Sequence, residues 1–181
     1  MSGTSLPIEE IRGEFLEALK GASPRILLKA PTGSGKSTGI PPMMDDAGLG
    51  ENGLIVVVQP RRMAARLLAR HVARLRGSEL GREVGYMVRF ERHISSRTRI
   101  AYVTDGVLER WLTDRPCLEG VSAVVFDEFH ERSLSGDLSL GRVLDLQEGP
   151  RPDLAVVVMS ATLEMSGLRE YMGESLSLIH I

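Results

Sequence analysis

Ala30-Pro31-Thr32-Gly33-Ser34-Gly35-Lys36-Ser37-Thr38 follows directly on a short apolar run, Arg25-Ile26-Leu27-Leu28-Lys29, and leads into Gly39-Ile40. The run predicts a buried strand, and the residues from Ser37 onward predict the start of a helix. A strand, a glycine-rich turn and a helix entered through Gly-Lys-Ser is the pattern of a phosphate-binding loop. The chemistry requires these residue types. Gly33 and Gly35 let successive backbone N–H groups turn inward around phosphate oxygens, where side chains would block approach. The helix N-terminus adds partial positive charge at the same spot. Lys36 can reach β- and γ-phosphates, and the Ser37 hydroxyl can ligate a magnesium ion. The pattern departs from G-x-x-x-x-G-K-[ST] at one position, where Ala30 replaces the usual first glycine. The plain alternative is a flexible Gly/Ser turn, and the flanking strand and helix argue against it.

Around this loop the chain has the composition of a soluble globular domain. Its 181 residues suffice for one domain with a substantial core, and 43% hydrophobic with 25% charged residues is ordinary. A net charge of -2 gives no general signal for nucleic acid. Three of the 22 basic residues are lysines, an arginine bias that suits bidentate phosphate contact but that base composition of the gene also produces. Cys117 is alone, which excludes an internal disulfide framework and a cysteine metal site. Met1 to Glu10 lacks a secretory pattern, and no apolar stretch approaches the roughly 18 residues that span a bilayer. A cytoplasmic protein with no membrane association is expected.

Outward from the loop, apolar periodicity alternates between strand and helix. Ile8, Ile11, Phe15, Leu16 and Leu19 recur at helical spacing up to Gly21. Pro41 and Pro42 are expected to bend the first helix or end it early. Leu54 to Val58 reads as a parallel strand covered on both faces, ending in Gln59-Pro60-Arg61-Arg62. The next helix has Met63, Leu67, His71 and Leu75 at four-residue intervals, with Arg62, Arg66, Arg70 and Arg74 one step away. The later arginines suit a solvated face, whereas Arg61 and Arg62 sit at a strand C-terminus, where open α/β sheets bind ligands. Val84 to Glu91 and Arg99 to Val103 read as strands. A helix begins at Thr104-Asp105-Gly106, with Thr104 or Asp105 as its cap and Val107, Leu108, Trp111 and Leu112 on its apolar side. Trp111 reads as core rather than as a base-stacking platform. Val121 to Phe126 and Asp153 to Met159 are strands and Leu138 to Leu146 a helix. The alternation predicts an α/β fold: three layers, with a mostly parallel central sheet.

Val121 to Phe126 delivers Asp127-Glu128-Phe129-His130. An acidic pair at a strand end is the expected partner of a phosphate loop. Asp127 would hold the magnesium, and Glu128 would orient and deprotonate an attacking water. Two decoys fail. His130-Glu131 begins like H-E-x-x-H, but Leu134 stands at the second ligand position. Leu134-Ser135-Gly136 resembles a transporter ATPase signature, but it follows the acidic strand instead of preceding it. His71, His93 and His180 read as structural or exposed.

In this order, Ala30 to Thr38, Gln59 to Arg66, Thr104 to Leu108, Asp127 to His130 and Ser160 to Thr162 resemble motifs I, Ia, Ib, II and III of the superfamily-two DEAH-box ATP-dependent RNA helicases. Phe129 in place of Ala, the continuation Glu131-Arg132-Ser133-Leu134, and Gly85-Tyr86-Met87-Val88-Arg89-Phe90-Glu91 resemble the bacterial HrpB branch. The resemblance runs from about Leu6 to Gly173. It implies a RecA-like P-loop NTPase domain, the first of the usual two, over residues 1–173. It also implies ATP and Mg2+ as the bound species. Thr32, Gly33, Ser34, Gly35, Lys36, Ser37 and Thr38 then form the nucleotide cradle, with Ser37 and Asp127 toward the metal. Lys36, Asp127, Glu128 and His130 match the catalytic set. Arg61, Arg62, Thr104, Asp105 and Gly106 match the grip on a nucleic-acid backbone, single-stranded RNA in this family. His130 with Ser160 and Thr162 matches the group that couples nucleotide state to strand movement, although by spacing alone Ser160-Ala161-Thr162 is a strand-ending turn.

Family members supply arginine fingers from a second RecA-like domain, in a Q-x-x-G-R-x-G-R run that does not occur in these 181 residues. Weak, slow ATP hydrolysis is therefore expected of the chain alone. A catalytically idle nucleic-acid-binding or interaction fragment of the same fold is the alternative. Residues 174–181 match nothing in the family pattern. They are expected to be a truncation artefact, with a final short strand as the alternative because Leu176 and Leu178 alternate with serines.

Overall fold

The computed structural model describes residues 7–162, 166–173 and 176–181. Leu6, where the resemblance begins, and Glu174-Ser175, where the tail begins, lie outside the described residues. The strands are β1 (Arg25–Lys29), β2 (Leu54–Gln59), β3 (Val84–Val88), β4 (Glu91–His93), β5 (Ile100–Thr104), β6 (Val121–Phe126), β7 (Ala155–Ser160) and β8 (Leu176–His180). They form one sheet in the order β4-β3-β5-β2-β6-β7-β1-β8. Every neighbouring pair is parallel except the β3–β4 hairpin. The helices are α1 (Arg12–Ala18), α2 (Lys36–Asp46), α3 (Leu49–Asn52), α4 (Arg62–Leu75), α5 (Asp105–Asp114), α6 (Leu134–Glu148) and α7 (Ser166–Met172).

Two apolar layers follow from the two-residue alternation of strand side chains. On one face Ile26, Leu28, Ile55 and Val57 meet Ile8, Phe15, Ile40, Met43, Ala65, Ala69 and Val72, so α1, α2 and α4 lie there. On the other, Leu27, Val56, Val58 and Val103 meet Leu108, Leu112, Leu140, Val143 and Met172 from α5, α6 and α7. Burial on both faces is why the central strands carry unbroken apolar runs. All the parallel strands point their C-terminal ends at one edge, which gathers Ala30, Gln59, Thr104, Asp127 and Ser160.

Four local readings are corrected. The helix after the phosphate loop is not cut short: α2 runs Lys36–Asp46 with Pro41 and Pro42 inside it. The buried face of α4 is Ala65, Ala69, Val72 and Ala73, while Met63, Leu67 and Leu75 are 61%, 56% and 64% exposed. Small side chains let this helix lie close to the sheet, and a strict four-residue spacing drifts off any one face of a 3.6-residue helix. The stretch Val84 to Glu91 is not one strand, because the chain reverses at Arg89-Phe90, with Phe90 at φ 68, and β4 returns antiparallel. Thr104 occupies the N-cap position of α5, but no side-chain hydrogen bond caps that helix. The sheet also continues past Gly173: Leu176–His180 is β8, in parallel register with β1.

Polar staples fix the helices that carry the site. Asp45, buried at the end of α2, is held by Arg76 at 2.7 Å and Arg99 at 3.4 Å. Burial pushes its carboxyl above the ordinary range while both guanidiniums oppose that rise. Across the sheet edge, Glu91 of β4 accepts from Arg66 of α4 and from the Tyr86 hydroxyl.

The close passage of the chain over β3 gives a test of this edge. A Cβ at Gly85 would lie 2.1 Å from the His93 carbonyl oxygen, a backbone atom with little room to move. Gly85→Ala is expected to cost about 1–3 kcal/mol in urea unfolding, the usual cost of overpacking.

Candidate active site

The phosphate loop takes its shape from two left-handed glycines, Gly33 at φ 82 and Gly35 at φ 88, the second of which is the N-cap of α2. Nothing lies within 4 Å of where a Cβ of Gly33 would be, so this side of the loop faces open space. Ala30 is not among the positive-φ residues, so it needs no glycine. Its methyl group is 1% exposed in the core, and its N–H donates to the Ser160 carbonyl at 3.0 Å. Thr32 is exposed on the loop, and the Thr38 hydroxyl folds back onto the Gly35 carbonyl at 3.2 Å. Ser34 Oγ is buried and has no hydrogen-bond partner among the described residues, a donor left over for a ligand.

Pro41 explains how the first turn of α2 is held. A proline in a helix cannot donate to the carbonyl four residues earlier, here that of Ser37. The Tyr102 hydroxyl, from β5, donates to the Ser37 carbonyl at 2.8 Å instead. Burial, with the Asp127 carboxylate second, keeps that phenol protonated far above its ordinary range. A helix interior with two prolines thus survives through a partner brought in by the sheet.

Lys36 points its ammonium at Glu128 Oε1, 2.9 Å away, with its own side chain 3% exposed. Asp127 sits beneath, its Oδ2 accepting from Gln59 Nε2 at 2.6 Å and its Oδ1 from the Glu128 N–H at 2.9 Å. Burial raises the Asp127 carboxyl above its usual range, the nearby Glu128 charge adds to that, and the Ser37 hydroxyl, Gln59 and Lys36 act against it. Glu128 is left-handed, at φ 50, a conformation that costs a non-glycine residue energy and turns its carboxylate back toward the loop. His130 occupies the other oxygen, with Nε2 3.3 Å from Glu128 Oε2. The Ala161 N–H donates to His130 Nδ1 at 3.3 Å, which leaves the ring proton on Nε2, facing Glu128. Ser160 is buried, its Oγ accepting from the Thr162 N–H at 3.4 Å, and Thr162 itself is exposed. Lys36, Asp127, Glu128 and His130 therefore converge on one point, which the end of β7 reaches through the Ala161 N–H.

The residues expected to grip a nucleic acid lie beside this cluster. Arg62, the first residue of α4, is exposed, and Gly106 is exposed in the first turn of α5. Arg61 is engaged by Glu131 through two contacts, each 3.1 Å. Asp105 accepts from Ser133 Oγ at 3.0 Å, and that hydroxyl in turn accepts the Gly136 N–H and caps α6. Burial raises the Asp105 carboxyl while the Ser133 bond opposes it. A cavity of about 250 Å³ lies between these groups, lined by Arg61, Asp105, Asp127, Glu128, Glu131 and Ser133. Trp111 is partly buried against the second apolar layer and lines a separate groove of about 770 Å³ along α5.

Magnesium and a nucleotide fit these residues. Asp127 and Ser37 are hard oxygen donors, and among the described residues no set of three or more His, Cys, Asp or Glu forms a metal site by itself. Two protein donors completed by phosphate oxygens is the arrangement magnesium favours. Sequence reasoning missed Tyr102, and it gave Gln59, Glu131 and Ser133 no role of their own although all three lie in stretches that carry the family resemblance. The signal for Tyr102 was the proline at position 41, which leaves the Ser37 carbonyl without its helical donor.

A family model described as DEAD/DEAH box helicase matches residues 10–171. The chain is 45% identical over 172 residues to the ATP-dependent RNA helicase HrpB of Escherichia coli strain K12, an alignment covering 95% of this chain and 21% of that protein. It is 43% identical over 169 residues to the probable ATP-dependent RNA helicase DHR2 of Saccharomyces cerevisiae, covering 92% and 23% respectively. The crystal structure of the E. coli DExH-box NTPase HrpB superposes with a TM-score of 0.91 at 42% identity, covering 99% of this chain and 22% of that one. The chain thus spans about a fifth of the length of the relatives it matches, and its fold is the RecA-like fold of the HrpB structures.

Three substitutions test the geometry. Tyr102→Phe leaves the Ser37 carbonyl unsatisfied and should cost about 1–3 kcal/mol in urea unfolding. Adding Pro41→Ala restores a backbone donor and should recover part of that loss. Asp127 titrates higher folded than unfolded. Its ionised form therefore burdens the empty fold, a cost absent in acid and complete once pH exceeds the folded value. At pH 7 Asp127→Asn should therefore raise the melting temperature of the ligand-free protein in scanning calorimetry. The same substitution should abolish magnesium-dependent nucleotide binding in calorimetry.

Proposed function

The chain belongs to the DEAD/DEAH box helicase family, and from that premise we propose that it is the ATP-binding domain of an ATP-dependent RNA helicase, coupling Mg-ATP hydrolysis to movement along a single strand of RNA. The observation that carries this reading is the pairing of buried Lys36 with Glu128 over Asp127, joined through His130 to Ala161. Lys36 binds the β- and γ-phosphates, and in doing so gives up Glu128 Oε1. That oxygen then accepts the proton of the attacking water as the water oxygen bonds to the γ-phosphorus and the bond to the β-phosphate oxygen breaks. Magnesium, when bound through Asp127 and Ser37, neutralises charge that builds on the phosphate oxygens. His130 holds the second oxygen of Glu128 and fixes its direction. The Ser160-Ala161-Thr162 segment senses that ring through the Ala161 N–H. Arg61, Arg62, Thr104, Asp105 and Gly106 meet the sugar–phosphate backbone, a contact indifferent to base sequence. The preference for RNA rests on the activities named for the relatives. No helix among the described residues is long and apolar enough to cross a membrane, and work on RNA suits the cytoplasm.

A second RecA-like domain would complete the ATP site with arginine fingers, which are worth about three to five orders of magnitude in turnover in related phosphoryl-transfer systems. The 181-residue chain alone is therefore expected to bind Mg-ATP weakly and to turn it over very slowly. Steady-state phosphate release with and without RNA checks this, and fast RNA-stimulated hydrolysis by the purified chain would overturn it. In a protein carrying both domains, Glu128→Gln should keep ATP binding and lose RNA-stimulated turnover.

A further inference from the structure

The stretch from Asp127 to Ser133 makes contacts in two directions. Toward the phosphate loop, Glu128 pairs with Lys36, and Asp127 accepts from Gln59. Toward the nucleic-acid residues, Glu131 holds Arg61 and Ser133 holds Asp105. The two directions are mechanically continuous. Glu128 and Glu131 lie at either end of a single 3-10 turn, closed by the Glu131 N–H donating to the Glu128 carbonyl at 2.9 Å. On the partner side, Gln59 and Arg61 are two residues apart at the end of β2. The end of β2 and the acidic turn are thus zipped together by one contact at the buried carboxylate and one at the rim.

The two ends differ in exposure. Lys36 is 3% exposed, while Arg61 and Glu131 are 72% and 33% exposed. An ion pair as open as the second contributes little to stability. It is therefore easily exchanged, and a phosphodiester offers Arg61 the same two-pronged geometry that the Glu131 carboxylate does.

Resting on the helicase reading above, we infer that Glu131 is a positioning residue that ties nucleic-acid occupancy to the seating of Glu128. In the empty protein, Glu131 competes with phosphate for Arg61. When a nucleotide draws Lys36 from Glu128, the turn loses its buried anchor and Glu131 loosens its hold on Arg61. When a strand takes Arg61 first, Glu131 is released and Glu128 is free to turn from Lys36. Nucleotide and single strand then strengthen each other's binding by the same factor, as linkage requires. This path is separate from the one through His130 and Ala161.

The test measures binding of a fluorescein-labelled single-stranded oligouridylate to the 181-residue chain by anisotropy, with and without the magnesium complex of a non-hydrolysable ATP analogue. The wild-type chain should bind the oligonucleotide about fivefold or more tightly with the analogue present, the lower end of ordinary coupling. Glu131→Gln should bind it more tightly at rest and lose the dependence on nucleotide, while still binding the analogue. In an Arg61→Gln background, Glu131→Gln should have no further effect. Asp137→Asn removes a carboxylate paired instead with Arg132, so it controls for net charge and should keep the dependence. Unchanged coupling in Glu131→Gln, with both ligands still bound, overturns the inference and leaves the helicase reading intact. A wild-type chain that binds neither ligand overturns both.

Discussion

An ammonium withdrawn from water needs a counter-charge, and among the described residues the buried Lys36 has only Glu128 within salt-bridge distance. Much of the domain can be understood as what is required to bring those two groups together. The phosphate loop follows β1 and the acidic turn follows β6, and the sheet order places a single strand, β7, between them. That spacing puts both loops at one edge, with Ser160 and Ala161 from the end of β7 filling the interval. Left-handed backbone at Gly35 on one side and Glu128 on the other turns the side chains toward each other. Removing Glu128 would leave the buried Lys36 ammonium without that counter-charge, which is more costly than never having formed the pair.

The legible parts of the sequence were those whose cause is local. A phosphate loop is specified by nine adjacent residues, and apolar runs too short for helices marked the parallel strands. The acidic pair was legible because Asp127 and Glu128 end such a run. What was not legible depended on partners distant in sequence. Pro41 and Pro42 argued for a helix bent or ended early, because nothing near them shows that Tyr102 would take over the lost donor's role. Met63, Leu67 and Leu75 argued for the wrong face of α4, because close packing on the sheet selected alanines that hydropathy ranks low. The reversal at Arg89-Phe90 carries no Gly, Asn or Pro, the residues that usually announce a turn. Glu131 and Ser133 belonged to a family-like stretch but carried no role by themselves, and only the fold sets Arg61 and Asp105 opposite them.

A gradient of solvent access runs through the site. Deep in it, Asp127, Lys36 and Gln59 are nearly inaccessible, so their contacts are stiff and their charges strongly felt. At the rim, Arg61 and Glu131 meet in water, where partners trade readily. His130 and Glu128 lie between, both partly exposed, and each touches groups of both kinds. A domain that must respond to one ligand when another arrives benefits from such a gradient, since a wholly buried network resists change and a wholly exposed one transmits nothing.

The place of β1 in the sheet has a consequence for how the domain is assembled. Its two neighbours are β7 and β8, so Arg25 lies opposite Val156 and Leu176. The strand that leads into the phosphate loop is thus made before either of the strands that flank it. β2, β3, β5 and β6 pair among themselves and can collapse earlier. Contacts this distant in sequence slow folding and leave the early apolar segment uncovered for longer, a natural place for a chaperone to act. The element that names the nucleotide is completed only after strands far downstream of it have been made.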